Sequence, residues 1–419
     1  MKKTLLLICA CTVLFAVAIL CTACSDDVRN VNLSRDSLNS ETWFEVEKKE
    51  TVEICFDAKV RAWETLLDKE ILGESCLKVR IPTLIGVSTV YVKFFDDDST
   101  YKINLAVDMK YLDFKNEEVL LGYDDYEDTS DVKIKTKLED YFKNVNVKRF
   151  VSVSGTYLVD KYPVTNCEIL QVAWNHIHSN SQCSSISLDA FSNRKKIQKR
   201  NERCIIHDTA AIHVDLFLAL NYANERSIRE RLKPYYSFSL IKKGAKKDLP
   251  NVIGYTDFNC NLYWISIDTT SDGYRLPYYD EWMMFARGGD RKKAPWSDST
   301  SFFKYMISKR ARSYVFISEP VGLYTPNGYG LHDIFGLVEE LVIFEQTSRI
   351  KEKCVWSGLL RGETKFYNCP SCLKGGGSLD DDWQNINYGK YSYGREGGFR
   401  LIRNIGNNAK WSEVKSDKK

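Results

Sequence analysis

Apolar and polar residues alternate in short runs through the early part of the chain. Residues 51–56 (TVEICF) and 89–94 (TVYVKF) place every second side chain on one side of an extended backbone, which is typical of half-buried strands. An acidic turn at residues 96–99 (DDDS) follows the second run. Several such runs over residues 42–115 predict a small all-β, sandwich-like domain, and none of them has a catalytic pattern.

The spacing of apolar residues becomes helical later in the chain. Thr165 and Glu168 have the spacing of a capping box, in which each side chain accepts a hydrogen bond from a backbone N–H group at the helix start. Two further helices are predicted, over residues 215–232 and 279–287. The last of these precedes Gly288-Gly289, a natural helix end.

The length of 419 residues also favours two domains. Residues 116–147 are acidic and are predicted to link the two patterns, and residues 406–419 are predicted to be a polar tail. The 59 basic and 56 acidic residues give a net charge of only +3. This near balance gives no indication of a nucleic-acid partner.

Residues 1–23 have the pattern of a secretory signal peptide. Lys2 and Lys3 precede an apolar run over residues 5–20, which is too short and wrongly flanked for a stable membrane span. The exported chain is therefore expected in the cell envelope.

Cys24 is the predicted lipid attachment site. Small residues precede it as in a lipobox, although Cys21 takes the position where leucine is usual. Acyl chains such as palmitate on Cys24 would hold the mature chain on a membrane without a spanning helix, and residues 24–41 would form a polar tether. Ser25 in place of Asp favours the outer membrane or the periplasmic face. Plain secretion and an uncleaved anchor are the alternatives.

The cysteine content indicates disulfides. Of 13 cysteines, nine lie beyond Cys24, and export permits them to pair. Because nine is odd, at least one thiol is free or pairs between chains. Proximity in sequence suggests two pairs, which are Cys55 with Cys76 and Cys183 with Cys204.

Five motifs follow one another in the second part of the chain. The most specific is GYRLPYYDEW at residues 273–282, followed by ARGG. The others are LVDKYPVTN at 158–166, IHVD at 212–215, PNGYGLHDIFG at 326–336, and GGS at 376–378 with GFRL at 398–401. In this order they resemble the formylglycine-generating-enzyme domain, also called the sulfatase-modifying-factor domain, over about residues 148–405. Pro163 departs from the Glu that is usual there.

The resemblance implies an α+β fold for residues 148–405, related to C-type lectins and with little regular secondary structure. Buried Arg, Trp and Gly residues hold such a fold together. Arg275 and Arg400 are therefore expected to be buried, and each guanidinium then needs several hydrogen-bond acceptors.

The family's oxidase binds Cu(I) through two cysteines, the third and eighth residues after the GGS motif, because soft thiolates suit this ion. Counted from Ser378, those positions hold Asp381 and Ile386, and no cysteine follows Cys372. This departure predicts a domain without copper and without the oxidase activity of the family.

The same segment is a candidate ligand groove, because carboxylates beside an aromatic ring suit sugars or cations. A plain surface loop is the equal alternative. The residues of the candidate groove are Ser378, Asp380, Asp381, Asp382 and Trp383.

Two other positions are candidate sites. Cys369 and Cys372 form a C-x-x-C pair that is expected to be a structural disulfide, with a metal site or redox chemistry as alternatives. Glu340 keeps the carboxylate of the family's calcium loop, whose Asn and Trp residues are missing here. It is a candidate calcium ligand or a plain surface glutamate.

The expected function is ligand or partner binding by a membrane-anchored lipoprotein. No cofactor is expected apart from calcium at Glu340, and the expected partners are the membrane and a glycan, peptide or envelope protein. An enzyme of this family with altered chemistry and a structural component of an envelope assembly are the alternatives.

Overall fold

In the computed structural model the chain forms two compact units, and the boundary between them in sequence lies between Val107 and Asp108. Within the described part of the chain, no helix is long and apolar enough to cross a membrane. The structure describes residues 28–39, 41–121, 149–172, 208–211, 214, 216–240, 252–256, 262–289, 320–334, 337–343, 371–374 and 397–413.

The first unit contains two four-stranded sheets. Its strands are β1 Val28–Leu33, β2 Glu41–Val46, β3 Thr51–Phe56, β4 Val60–Thr65, β5 Lys69–Leu72, β6 Cys76–Arg80, β7 Gly86–Phe94 and β8 Tyr101–Val107, with a short 3-10 helix at Arg35–Ser37. The strand orders are β1-β3-β6-β5 and β2-β8-β7-β4. The β1–β3 and β2–β8 pairs are parallel, and the other pairs are antiparallel.

Alternation along these strands builds one apolar core between the two sheets. In β3, Val52 and Ile54 are fully buried, whereas Glu53 and Cys55 are half-buried. Full burial of such a side chain contributes about 1.5–3 kcal/mol. Both sheets contribute to the core, which comprises Val46, Val52, Ile54, Phe56, Val60, Leu77, Val79, Ile81, Val90, Val92, Phe94, Ile103, Leu105 and Val107.

A disulfide links Cys55 to Cys76, as the sequence predicted. The two residues face each other in β3 and β6, and their Cα atoms are 4.1 Å apart. The bond therefore fixes the register of two neighbouring strands. Cys167 also belongs to a disulfide, and the suggested pair of Cys183 and Cys204 lies outside the described residues.

The segment predicted to be a tether contains a strand instead. β1 pairs with β3 over its full length, and Val31 and Leu33 pack against the core. The alternation of Val31, Asn32 and Leu33 is typical of a strand. The mostly polar residues around these three favoured a tether instead. The described part of the chain begins with this strand at Val28, four residues after Cys24 in sequence.

The second unit contains three α helices and three three-stranded sheets in its described part. The strand orders are β17-β10-β9, β11-β13-β12 and β15-β14-β16. The elements are β9 Met109–Leu121, β10 Arg149–Asp160, α1 Asn166–Val172, α2 Leu216–Arg229, β11 Tyr236–Leu240, β12 Val252–Thr256, β13 Leu262–Ile267, α3 Tyr279–Arg287, β14 Glu339–Ile343, β15 Ser371–Lys374, β16 Gly397–Gly398 and β17 Ile402–Glu413.

β9 and β17 differ from the sequence predictions. β9 pairs with β10 from Met109 to Leu121, so residues 109–115 belong to the second unit and the first residues of the predicted linker are a strand. β17 continues through residues 406–413 of the predicted tail. Trp411 stabilises this end, because its Nε1 donates to the Tyr157 hydroxyl at 3.0 Å. These segments become strands because they pair with β10. The local composition of the sequence does not indicate that pairing.

Helix α3 occupies the centre of the main core of the second unit. Five consecutive residues, from Trp282 to Ala286, are at most 1% exposed, as expected for a helix surrounded by other elements. The core also includes residues of β9, β10, β14 and β17, among them Phe114, Val153, Tyr157, Val342 and Ile402. Positions fixed by this helix are therefore fixed relative to the whole unit.

Hydrogen bonds at the start of α1 confirm the predicted capping box, and α3 begins with a similar one. The Glu168 N–H donates to Thr165 Oγ1 at 3.2 Å, and the Thr165 N–H donates to Glu168 Oε2 at 3.0 Å. At α3, the Tyr278 N–H donates to Glu281 Oε2 at 2.8 Å. The helix ends at Gly288, whose φ of 60° is the left-handed conformation that glycine adopts at little cost.

Asn327 satisfies the last carbonyl groups of α3. Its Nδ2 donates to the carbonyl oxygens of Phe285 and Ala286 at 2.7 and 3.2 Å. Its Oδ1 accepts from the N–H groups of Tyr329 and Leu331. One buried amide thus forms hydrogen bonds with four backbone groups, of which, among the described residues, only the Phe285 carbonyl oxygen has a second donor, the Gly288 N–H at 3.1 Å. The PNGYG motif therefore has a structural role.

We expect Asn327→Ala to lower the free energy of unfolding of the second unit by about 3 kcal/mol, because each buried group left unsatisfied costs about 1–3 kcal/mol. Scanning calorimetry measures this loss. Thr325→Ala changes an exposed neighbour and is the control, with an effect within about 0.5 kcal/mol. Equal stabilities of the two variants would contradict the capping role.

Candidate functional site

Arg400 is completely buried and joins three other segments of the second unit. Its Nε and Nη2 donate to both carboxylate oxygens of Glu340, at 2.7–3.0 Å. Its Nη2 also donates to the carbonyl oxygen of His332 at 3.0 Å, and its Nη1 donates to that of Asp160 at 3.1 Å. The burial expected for this arginine is confirmed, and its charge is balanced by one carboxylate.

Glu340 lies on β14 and is also completely buried. Besides the Arg400 contacts, its Oε2 accepts from Trp282 Nε1 at 2.7 Å, so both carboxylate oxygens have donors. Calcium requires a carboxylate that presents its oxygens to the ion together with several other oxygen ligands. The structure therefore gives Glu340 an arginine partner in the place that the sequence interpretation assigned to calcium.

Arg275 forms a second buried ion pair. Its Nη1 and Nη2 donate to the two oxygens of Glu281 at 2.6 and 2.7 Å, the bidentate geometry that suits guanidinium and carboxylate. Nη2 also donates to Asn404 Oδ1 at 2.8 Å. This confirms the second predicted buried arginine and ties the start of α3 to β17.

A third buried pair was not apparent from the sequence. Arg226 on α2 and Asp160 at the end of β10 are both 0% exposed, with Nη1 at 2.8 and 3.0 Å from the two carboxylate oxygens. The guanidinium also lies 3.9 Å from the centre of the Tyr274 ring, a favourable cation–π position. No local motif links residues so far apart in the chain.

Asp333 is a buried carboxyl beside this framework, with only 3% of its surface exposed. It accepts a hydrogen bond from the Gly322 N–H. Burial raises the pKa of Asp333 to about 6, although the Gly322 N–H and the charge of Arg400 oppose the shift. The folded second unit therefore binds this proton more tightly than the unfolded chain does.

A raised pKa of this kind contributes stability below the unfolded value near 3.8 and loses it as the pH rises through about 6. We expect Asp333→Asn to remove a decrease of about 2.5 kcal/mol in the free energy of unfolding between pH 4 and pH 7. Chemical unfolding of both proteins across this pH range measures the difference. Parallel pH profiles would contradict the assignment.

β14 pairs with the strands that precede and follow the candidate groove in sequence. Lys374, at the end of β15, pairs with Glu340 on one side of β14. Gly397 and Gly398 pair with Glu339 and Glu340 on the other side. Lys374 and Gly398, which flank the segment between β15 and β16 in sequence, therefore both pair with Glu340, the partner of Arg400.

The candidate groove residues themselves lie outside the described residues, as do Cys24, Cys369 and Ile386. Cys372 is on β15, opposite Val342 in the β14–β15 pairing. Among the described residues, the structure brings together Glu340, Arg400 and Trp282 in one buried hydrogen-bonded framework.

The donor set does not fit the copper of the oxidase family. Cu(I) requires soft ligands such as thiolates, and the sequence has no cysteine beyond Cys372. Asp381 offers a hard oxygen and Ile386 offers no ligand atom. No copper-dependent step is therefore assigned to this chain.

Two solved structures illustrate what this chain is similar to. Treponema denticola variable protein 1 has 18% sequence identity and a TM-score of 0.42, with 76% of this chain and 99% of that chain covered. The structure of PvdO from Pseudomonas aeruginosa has 15% identity and a TM-score of 0.39, with 71% and 94% covered.

Sequence comparison gives one short match and one extensive match. Chaperone protein LppX from Paenibacillus barcinonensis is 38% identical over 76 residues, which are 18% of this chain and 24% of that protein. This chain thus spans about a quarter of that relative. The family described as Sulfatase-modifying factor enzyme 1-like domain matches residues 131–405. Since that match covers more than half of the chain and includes all five motifs, the chain belongs to the sulfatase-modifying-factor family.

Proposed function

We propose that this protein is a membrane-anchored lipoprotein of the bacterial envelope whose sulfatase-modifying-factor domain binds a ligand or partner without catalysing oxidation. One observation carries this proposal. The buried framework of the domain is complete at Arg400, Glu340 and Arg275, while the sequence after Cys372 contains no cysteine. A retained framework without thiolates is consistent with a domain kept for its surface.

The binding surface in this proposal is the segment after β15. The residues that flank it, Lys374 and Gly397, pair with β14, and side chains presented from a rigid base bind with a small ordering cost. Its sequence offers three consecutive carboxylates, Asp380 to Asp382, beside Trp383. Aromatic rings stack on sugar faces and carboxylates accept from hydroxyl groups, so an envelope glycan is the favoured ligand class, before a peptide or protein partner.

Binding to an array of envelope glycans tests this proposal. We expect the mature chain to bind a glycan and Trp383→Ala to weaken binding at least about tenfold, because the stacking surface is lost. Leu323→Ala removes an exposed side chain elsewhere, 57% accessible, and is the matched control. Equal binding by both variants would exclude the segment as the site.

Detergent phase partition tests the anchor. The wild-type protein from cells is expected in the detergent phase, because acyl chains on Cys24 carry it there. Cys24→Ser is expected in the aqueous phase. A wild-type protein that stays in the aqueous phase would contradict lipidation.

A further inference from the structure

The β1-β3-β6-β5 sheet has one face on the apolar core of the first unit and one face turned away from it. Val52 and Ile54 of β3 belong to the core, so Glu53 and Cys55, which alternate with them, lie on the other side of the sheet. Cys76 is directly opposite Cys55 in the β3–β6 pairing and shares that side. We call it the outer face.

The outer face is accessible around the disulfide. Glu53, Cys55 and Cys76 are each half-buried. Asn32, which lies beside Cys55 on β1, and Glu70 on β5 are exposed. An ion or a small dithiol can therefore reach these side chains.

Three potential metal ligands converge at this point. Glu53 Oε1 lies 3.4 Å from Cys55 Sγ, and the carboxylate oxygen and the two sulfur atoms all lie within 4.8 Å of one another. The described residues contain no other set of three or more such ligands. Ligand atoms around a tetrahedral zinc ion are about 3.3–3.8 Å apart, because metal–ligand bonds are about 2.0–2.3 Å long. The spacing therefore suits one ion when the two sulfur atoms are not bonded to each other.

Strand geometry produces this convergence without any loop. Residues two apart on one strand share a face, and a directly opposite residue on the neighbouring strand has its Cβ atom about 4.5–5.5 Å away. Glu53 and Cys55 have the first relation, and Cys55 and Cys76 have the second. Rotation of side chains is therefore enough to surround an ion, and the backbone of β3 and β6 can keep its pairing.

Reduction converts the disulfide into two ligands. A dithiol supplies two electrons and two protons, so that its own two sulfur atoms become a disulfide and Cys55 and Cys76 each become a thiol. A divalent ion then displaces the two thiol protons into water, because the thiolate is the form that binds metal. Glu53 adds a third ligand, and a fourth position is left for water.

This ligand set favours Zn²⁺ over other common ions. Zinc accepts both thiolate and carboxylate ligands, whereas calcium takes oxygen ligands only and Cu(I) is suited by soft sulfur ligands without a carboxylate. Zinc with two thiolates and the Glu53 carboxylate has a net charge of about −1. Lys78, opposite Glu53 on β6, lies on the same face and offsets that charge.

We propose that Glu53, Cys55 and Cys76 form a zinc site when the disulfide between the two cysteines is reduced. The ion then replaces the disulfide as the cross-link between β3 and β6, so the register of these strands is kept under reducing conditions. The site belongs to the first unit and does not depend on the ligand proposed for the second unit.

Protection from alkylation tests this site in the mature chain. The protein is reduced with a dithiol, freed of the reductant without air, and treated with iodoacetamide at free Zn²⁺ concentrations set by a chelator. Peptide mass spectrometry follows Cys55 and Cys76 separately from the other cysteines. We expect zinc to slow their alkylation at least about tenfold, because a metal-bound thiolate is a poor nucleophile, and calcium to leave it unchanged. Alkylation at the same rate with and without zinc would overturn the proposal.

Two glutamate variants distinguish a three-ligand site from a simple pair of thiols. Glu53→Gln removes the carboxylate and is expected to raise the zinc concentration for half-protection at least about tenfold. Glu64→Gln changes an exposed glutamate on the other sheet and is the matched control, with no change expected. The same zinc dependence in both variants would exclude Glu53 as a ligand and overturn the three-ligand site.

Chemical unfolding of the reduced protein gives a second measurement that does not depend on alkylation. Zinc is expected to raise the denaturant midpoint of the first unit, because it binds the folded site. The variant with valine in place of Cys55 and Cys76 is expected to show no such rise. A wild-type midpoint that zinc does not raise, or a reduced first unit that stays unfolded in zinc, would overturn the proposal.

Discussion

Arg400→Met is expected to destabilise the second unit by about 3–5 kcal/mol, because it leaves the fully buried carboxylate of Glu340 without its cation. The carbonyl oxygens of His332 and Asp160 also lose their donor. Scanning calorimetry of the mature chain is expected to show a lower transition for this unit and an unchanged transition for the first unit.

Arg403→Met is the matched control for this prediction. Arg403 is only partly buried and donates its Nε to the carbonyl oxygen of Asp272 at 2.8 Å, so its loss is expected to cost less than about 1 kcal/mol. Adding Glu340→Gln to Arg400→Met removes the unpaired charge and is expected to recover part of the stability. A loss in Arg400→Met no larger than that in Arg403→Met would contradict the role of this ion pair.

Replacing both Cys55 and Cys76 by valine is expected to lower the stability of the first unit by about 3 kcal/mol, the loop-closure contribution for residues 21 apart in sequence. Valine suits a strand, so the loss reports the cross-link. Chemical unfolding of the first unit with and without reductant measures it.

Reductant should lower the wild-type stability of the first unit to that of the double variant and leave the variant unchanged. Equal wild-type stability in both conditions would mean that strand pairing and the apolar core hold β3 and β6 together without the bond. Any change in the second unit on reduction reports other cysteines, because Cys167 also belongs to a disulfide.

Local signals predicted those elements that local interactions determine. Helix α3 spans the predicted residues 279–287 and ends before Gly288 as the glycine pair indicates, and the Thr165–Glu168 box is formed as expected. The disulfide was predictable because its two cysteines lie in neighbouring strands. In each case the partners are close in sequence, so spacing alone contains the information.

Long-range pairing explains what the sequence did not predict. β9 and the end of β17 are strands because β10 lies between them, and residues 406–413 (GNNAKWSE) are mostly polar. Asp160 and Arg226 become a buried pair only when β10 and α2 meet. The sequence left Glu340 as a calcium ligand or a surface glutamate, and its burial against Arg400 could not be predicted because the two residues are 60 positions apart.

The proposal that this domain does not catalyse oxidation is tested by Cu(I) titration of the purified mature chain, together with an assay for oxidation of a cysteine-containing sulfatase peptide. A competing Cu(I) chelator sets the affinity scale, and the Asp381→Cys, Ile386→Cys variant restores the thiolates of the oxidase family for comparison. We expect neither tight copper binding nor formylglycine product for the wild-type chain, and we expect tighter copper binding for the variant. Tight copper binding and formylglycine formation by the wild-type chain would show that it is an enzyme and would contradict the proposal of a non-catalytic domain.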